Sequence, residues 1–363
     1  MKKGRKKVVT LSDIAQKANL SKGAVSFALK NSPMVSEKTR KMVQALAKSM
    51  GYEKNQLVST LMSKIRASKS DSFYETIAVI NGNLDEHALR RHPTLPRYYE
   101  GIREESERLG YAINEFWMHA PGTDAEKLAG IFRSRGIRGG IVLGHSFGNE
   151  FPEGYEKIWH DFYLIRSYNA SLEVVASDDF LISYNSYIEV SNMGFKNIGI
   201  VVEESTDDLV GGTLIGGYLR AQMKRNPRYI CPPFIENENS PSFRKDLEKW
   251  LESNKPDAIL YLLDSTREIL SKIKKVGNAR LFQLEKRGYV KNWVGMEQNN
   301  DLVGRVAVRR LADMLNRDSA VAGENSGIIT LVRPTWVGGG EAAKDAHARP
   351  TIPARPRKAK RAK

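Results

Sequence analysis

Between positions 9 and 52 the apolar residues fall three and four apart: Leu11, Ile14, Ala15 and Ala18, then Leu20, Val25, Leu29, Val35, Val43 and Leu46. That is the period of short helices that each bury one face. Polar residues mark where each helix begins and ends. Thr10 stands as the N-cap of a helix over 11–18, and Asn19-Leu20 make a tight turn. Ser21 caps a second helix over 22–30, which Asn31, Ser32 and Pro33 break. Ser36 caps a third over 37–50, and Gly51 closes it in the position that favours a left-handed residue. Two short helices around a tight turn, with a third beneath them, make a helix-turn-helix unit.

After a polar linker over 65–74 the pattern changes to short apolar runs alternating with amphipathic segments. Strands are predicted over 76–80, 112–117, 140–143, 162–165 and 173–176, with helices over 97–109 and 125–134. A second set follows, with helices over 181–193, 213–225, 242–253, 266–276 and 301–316. Its strands are predicted over 197–202, 258–262, 293–296 and 327–332. Repeated strand–helix units with apolar strands predict parallel, doubly wound sheets. The stretch is too long for one such unit, so it predicts two Rossmann-like lobes with a cleft between them. The expected fold class is an all-α helix-turn-helix head followed by an α/β core of two lobes.

Charge sharpens this division. The chain has 363 residues and a formal net charge of +15. Residues 1–69 hold 16 Lys and Arg against 3 Asp and Glu, and residues 344–363 hold 8 against 1, so the long middle is mildly acidic. Cations gathered on a helix-turn-helix unit suit a phosphate backbone; a uniformly basic surface would not be segregated in this way. Residues 1–8 read as a basic arm, and residues 341–363, rich in Pro, Arg and Lys, as a disordered basic tail. No apolar run reaches the roughly 18 residues of a membrane span. The basic start lacks the apolar core of a signal peptide, and the single cysteine, Cys231, leaves no internal disulfide. Together these features predict a cytoplasmic chain associated with the nucleoid.

The head is similar to that of the LacI/GalR (lactose and galactose repressor) family. The matching residues are Val9-Thr10-Leu11-x-Asp13-Ile14-Ala15, Ala18-x-Leu20-Ser21-x-x-x-Val25-Ser26, Asn31-Ser32-Pro33-x-Val35-Ser36-x-x-Thr39-Arg40 and Gly51-Tyr52-x-x-Asn55. The body resembles the family's effector-binding core, itself like type I periplasmic sugar-binding proteins. It does so through Tyr99-Glu100-Gly101-Ile102, Gly136-Ile137-Arg138-Gly139, Val175-Ala176-Ser177-Asp178, Lys255-Pro256-Asp257-Ala258-Ile259 and Trp293-Val294-Gly295-Met296. The resemblance implies a head over 9–54, a hinge helix over 55–64 and a core over 75–340. It also implies three chain crossings between lobes, near Ser177, Asn299 and Ser326. Lobe one would then span about 75–177 and 299–325, and lobe two about 178–298 and 326–340.

The resemblance further implies a homodimer on a pseudo-palindromic, double-stranded operator, with the second helix in the major groove. Lys22 and Gly23 would face base edges, Ser21 and Ser26 would bond phosphates, and Thr10, Lys30 and Asn55 would lie along the same surface. Phe27 stands where the family usually has arginine, so the bidentate contact to guanine is missing. The ring either packs on a thymine methyl or joins the core. Leu61 aligns with the family's minor-groove wedge, and Leu57 with a contact between paired hinges; an apolar wedge at a flexible step bends a duplex. In the cleft, Glu297 stands where an aspartate is usual and Asp178 follows a strand. Leu214 replaces an arginine that grips the effector in many members, while Phe147, Tyr168 and Trp117 are candidates to stack on a sugar ring.

Enzymatic chemistry finds little support. Gly144-His145-Ser146-Phe147-Gly148 fits a nucleophile elbow, but the following Asn149-Glu150-Phe151-Pro152 reads as loop where a helix is required. The six histidines are scattered without metal-ligand spacing, so no metal, cofactor or catalytic residue is expected. The reading is a DNA-binding transcriptional regulator, a repressor controlled by a small molecule such as a sugar, with no membrane partner. The alternative is a ligand-independent, architectural DNA-binding protein with a degenerate core, which the apolar Leu214 favours.

Overall fold

A computed structural model describes residues 9, 11–29, 31–32, 34–50, 52, 75–144, 162–165, 172–227, 230–237, 240–286, 293–316 and 328–338. The head forms helices α1 (Leu11–Ala18), α2 (Lys22–Leu29) and α3 (Glu37–Ser49). The caps of α2 and α3 are the expected serines. Ser21 Oγ accepts from the Ala24 N–H at 3.1 Å, and Ser36 Oγ accepts from the Thr39 N–H at 3.2 Å. α1 ends through Asn19 at φ 52°, where the Leu20 N–H donates to Ala15 O at 3.0 Å. α2 ends the same way through Asn31 at φ 54°, with the Ser32 N–H donating to Phe27 O at 2.9 Å. Asparagine enters this left-handed region more readily than other side-chain-bearing residues, which explains its use at both ends. Ile14, Val25, Ala28 and Val43 are fully buried at the centre.

The other elements build two six-stranded sheets. The first contains β1 (Glu75–Asn81), β2 (Tyr111–Trp117), β3 (Gly140–Leu143), β4 (Phe162–Ile165), β5 (Glu173–Ser177) and β11 (Ile329–Val332). Their order is β11-β5-β4-β3-β1-β2, and every pairing is parallel. Helices α4 (Ala88–Arg91), α5 (Leu95–Leu109), α6 (Ala125–Arg135) and α12 (Asn300–Asn316) cover it. β1 shows why the sheet lies between two helical layers. Ile77 and Val79 meet Tyr98 and Ile102 of α5 and Val303 and Leu311 of α12, while Ala78 and Ile80 meet Leu128 and Phe132 of α6. Both faces are apolar, as buried parallel strands require.

The second sheet contains β6 (Ile198–Glu203), β7 (Phe234–Glu236), β8 (Ala258–Tyr261), β9 (Arg280–Gln283), β10 (Gly295–Glu297) and β12 (Thr335–Val337), in the order β12-β10-β9-β8-β6-β7. Only β12 runs antiparallel, against β10. Its helices are α7 (Asp179–Asn192), α8 (Glu204–Leu209), α9 (Thr213–Arg225), α10 (Phe243–Asn254) and α11 (Asp264–Lys272).

Three expectations are corrected here. β11 pairs with β5, so Ile329–Val332 belongs to the first sheet, and the third crossing falls at Arg333-Pro334 instead of near Ser326. The helix expected over 266–276 stops at Lys272, because Ile273 is extended (φ −92°, ψ 115°) and turns its side chain into the core. Four short elements, α4, α8, β7 and β12, and the internal strand β9 had no counterpart in the sequence pattern.

α5 and α12 approach closely where both carry glycine. A Cβ built on Gly101 would collide with the backbone carbonyl of Asp301, and one on Gly304 with that of Tyr98. Beside this contact, Glu105 is 2% exposed and held by Arg108 and by Arg309 Nε at 2.7 Å. Burial pushes its carboxyl up, but hydrogen bonds and charge from the two guanidinium groups outweigh that and hold it at about 2. A folded-state value depressed below the ordinary 4.5 stabilises the fold at pH above that value. The contribution is lost as the pH falls through 4.5 towards 2. Glu105→Gln should therefore lower stability at neutral pH and flatten the loss across that acid window, as read by urea unfolding at stepped pH.

Candidate nucleic-acid interface and inter-lobe cleft

The first turn of α2 presents Ser21, Lys22 and Gly23 to solvent, with Ser26 half-buried one turn on. Phe27 is 43% exposed. Of the two roles open to it, membership of the core is removed, since Val25 and Ala28 fill that side of the helix. The exposed N-terminus of α2 presents unpaired N–H groups and the positive end of the helix dipole beside Lys22, both attractive to an anion. Behind it, Gln44 Nε2 donates to Asn31 Oδ1 at 2.6 Å and to Ala28 O at 3.2 Å, and Arg40 Nη1 donates to Asn31 O at 3.0 Å. These bonds fix the angle between α2 and α3, so the exposed face of α2 is held rigidly.

Between the lobes the three crossings are stitched together. Ser177 Oγ donates to Gln298 O at 2.9 Å, and the Asp178 N–H donates to Val332 O at 2.9 Å. Asn299, at φ 57°, donates through Nδ2 to Arg333 O at 2.9 Å and to Thr335 Oγ1 at 3.1 Å. The strand order reverses between β1 and β3 in one sheet and between β6 and β8 in the other. Outside the carboxyl ends of strands at such reversals lies the usual ligand crevice of an open parallel sheet. On the second lobe that edge carries Glu203, whose carboxylate accepts from Thr266 Oγ1; the same hydroxyl lies 3.3 Å from Glu236 Oε2. On the first lobe Trp117 Nε1 donates to Asn83 O at 2.9 Å, and His119 Nε2 donates to Gly82 O at 3.2 Å.

Residues 10–55 match the family model described as bacterial regulatory proteins, lacI family. The head is a LacI-family DNA-binding domain. Over 57 residues it is 42% identical to the HTH-type transcriptional regulator MalR of Staphylococcus xylosus, covering 16% of this chain and 17% of that one. Over 224 residues it is 24% identical to the NTD biosynthesis operon regulator NtdR of Bacillus subtilis, covering 61% and 60%. Both matches span less than two thirds of the relative's length. In structure it resembles a Lac repressor dimer bound to operator and the anti-inducer ONPF, with a TM-score of 0.50 and 16% identity over 92% of this chain and 98% of that one. That likeness concerns the fold: a helix-turn-helix head and a two-lobed core.

In the core the expected effector residues part ways. Leu214 does not line the cleft. It is fully buried in the second-lobe core with Tyr187, Tyr218 and Ile200, because its face of α9 packs on α7 and β6. An apolar residue at this position serves core packing and does not signal a lost ligand. Asp178 acts as the N-cap of α7, its Oδ1 accepting from the Leu181 N–H at 2.9 Å. Glu297 does stand at the lobe boundary, but with cationic partners: Arg97 Nη1 at 2.6 Å from the first lobe and Lys286 Nζ at 3.5 Å from the second. Arg97 also reaches Asp301 Oδ1 at 3.4 Å. Neither cation was foreseen, since Arg97 and Glu297 stand 200 positions apart and no spacing links them. Thr10, Lys30, Asn55, Leu57, Leu61, Phe147, Tyr168 and the elbow Ser146 lie outside the described residues. No helix among the described residues is long and apolar enough to cross a membrane.

Proposed function

We propose that this protein is a cytoplasmic, nucleoid-associated transcriptional regulator, a repressor that binds a pseudo-palindromic operator as a homodimer under control of a small molecule. The observation that carries this reading is the exposed, rigidly held face of α2 on the most basic part of the chain. Lys22 and Gly23 meet base edges, Ser21 and Ser26 hold phosphates, and Thr10, Lys30 and Asn55 extend the contact. Leu57 joins paired hinges and Leu61 opens the central minor groove. In a mobility-shift titration on an operator selected from random duplexes, Lys22→Ala should change base preference at defined positions. A uniform loss over all sequences, with a salt slope reduced by about one, would make it a phosphate contact. Leu61→Ala should weaken specific binding by tenfold or more and leave non-specific binding nearly unchanged.

For the effector, the reading is a sugar or related polyol in the crevice, with Phe147 and Tyr168 against its ring. A hydroxyl that engages Glu297 competes with Arg97, the cation reaching across from the other lobe. Such competition gives a ligand different affinities for two lobe poses, which any ligand control requires. Glu297→Ala should abolish the effect of the active ligand on operator affinity, and an unchanged response would remove Glu297 from the site.

A further inference from the structure

Among residues whose side chains are described, Phe27 is the one aromatic that stands exposed; the others are buried or half-buried. It projects from α2 one turn after Gly23. Helical side chains lean towards the N-terminus, so the ring leans over the turn that Gly23 occupies. That turn is bare. A Cβ built on Gly23 would meet nothing within 4 Å except Ser21 Oγ, at 3.8 Å. Glycine weakens a helix relative to alanine, and neither a positive φ nor a packing contact in the head requires it here. An exposed ring and an unneeded glycine thus share one face of the helix, directly behind Lys22.

We propose that Phe27 and Gly23 form an apolar reading surface that selects the C5 methyl group of thymine in the major groove. The inference rests on the operator-binding reading above. In that groove guanine offers only acceptors, cytosine an amino donor, adenine one of each, and thymine an acceptor and a methyl group. A phenyl ring can neither donate nor accept, so the methyl is the one feature it can distinguish. The bare backbone at Gly23 lets the helix sit close enough for the ring to reach a base edge. The half-site should accordingly be thymine-rich where α2 lies, and read by shape and burial where an arginine would read guanine.

The test uses the full chain and an operator selected from random duplexes. Each thymine of one half-site is replaced by deoxyuridine, which removes only the methyl, and the Kd is measured by fluorescence anisotropy at fixed salt. One or two positions should each weaken binding about fourfold, the transfer value of one buried methyl group. With Phe27→Ala the same replacements should matter less than twofold. Because Phe27 is exposed, that variant keeps the fold, which its melting temperature verifies. Gly23→Ala should melt no lower than the unaltered protein and bind the operator more weakly. An operator without a deoxyuridine-sensitive thymine, or equal sensitivity in Phe27→Ala, overturns this inference and leaves operator binding standing. Failure to enrich any sequence overturns both.

Discussion

Raising the salt from 50 to 200 mM should lower operator affinity by about three to five orders of magnitude. Two heads that together neutralise about six to ten phosphates displace that many condensed counterions, and the logarithm of affinity then falls with a slope of about −0.9 for each. The charge needed is present: Lys17, Lys22, Lys38, Lys41 and Lys48 are all exposed on the head. Five cations per head exceed the three or so phosphates that each must contact at the lower figure. The acidic middle of the chain cannot contribute to this term, so the slope belongs to the basic residues at the two ends of the chain, the head foremost. Titrations at four salt concentrations measure it directly. A slope shallower than about −2 would mean that the charge segregation serves something other than a phosphate backbone.

Gly101→Ala should cost about 3 kcal/mol or more of unfolding free energy, the upper end of what one extra methyl does to a packed core. The reason lies in the backbone. The added carbon would collide with the carbonyl of Asp301, and neither α5 nor α12 has a flexible side chain there that could give way. The two helices must separate, which strips contacts from Tyr98, Ile102, Val303 and Ala307, all buried in the same cluster. α12 leads directly out of the second crossing, so the displacement also reaches Asn299 and Glu297. Chemical unfolding of the variant and of Gly130→Ala compares them, since a Cβ at Gly130 meets nothing within 4 Å. Similar stabilities for the two would refute the close helix packing.

Much of the architecture was legible because period and punctuation agree. The boundaries of α1 and of α9 coincide with the expected ones, and serines 21 and 36 cap the helices they precede. β1 and β6 read as continuous apolar runs because helices cover both faces of each sheet. β9 was illegible for a physical reason. Its four residues, Arg280–Gln283, hold only two apolar side chains, and tertiary pairing between β8 and β10 makes it a strand. At the site, local signals worked and distant ones did not. The exposed surface of α2 follows from helix phase, whereas the grip of Arg97 and Lys286 on Glu297 depends on how lobes meet. Leu214 was misplaced by positional likeness to an effector arginine; the packing of α9 on α7 turns that position inward.

The central claim is that two heads grip one duplex together. Sedimentation velocity with a fluorescent duplex tests it, comparing a selected operator carrying two half-sites with the same duplex in which one half-site is scrambled. The account predicts two protomers on the intact operator and, on the scrambled one, an affinity at least about a hundredfold lower, as expected when the second contact becomes intramolecular. One protomer per duplex, or equal affinity for the two duplexes, would contradict it.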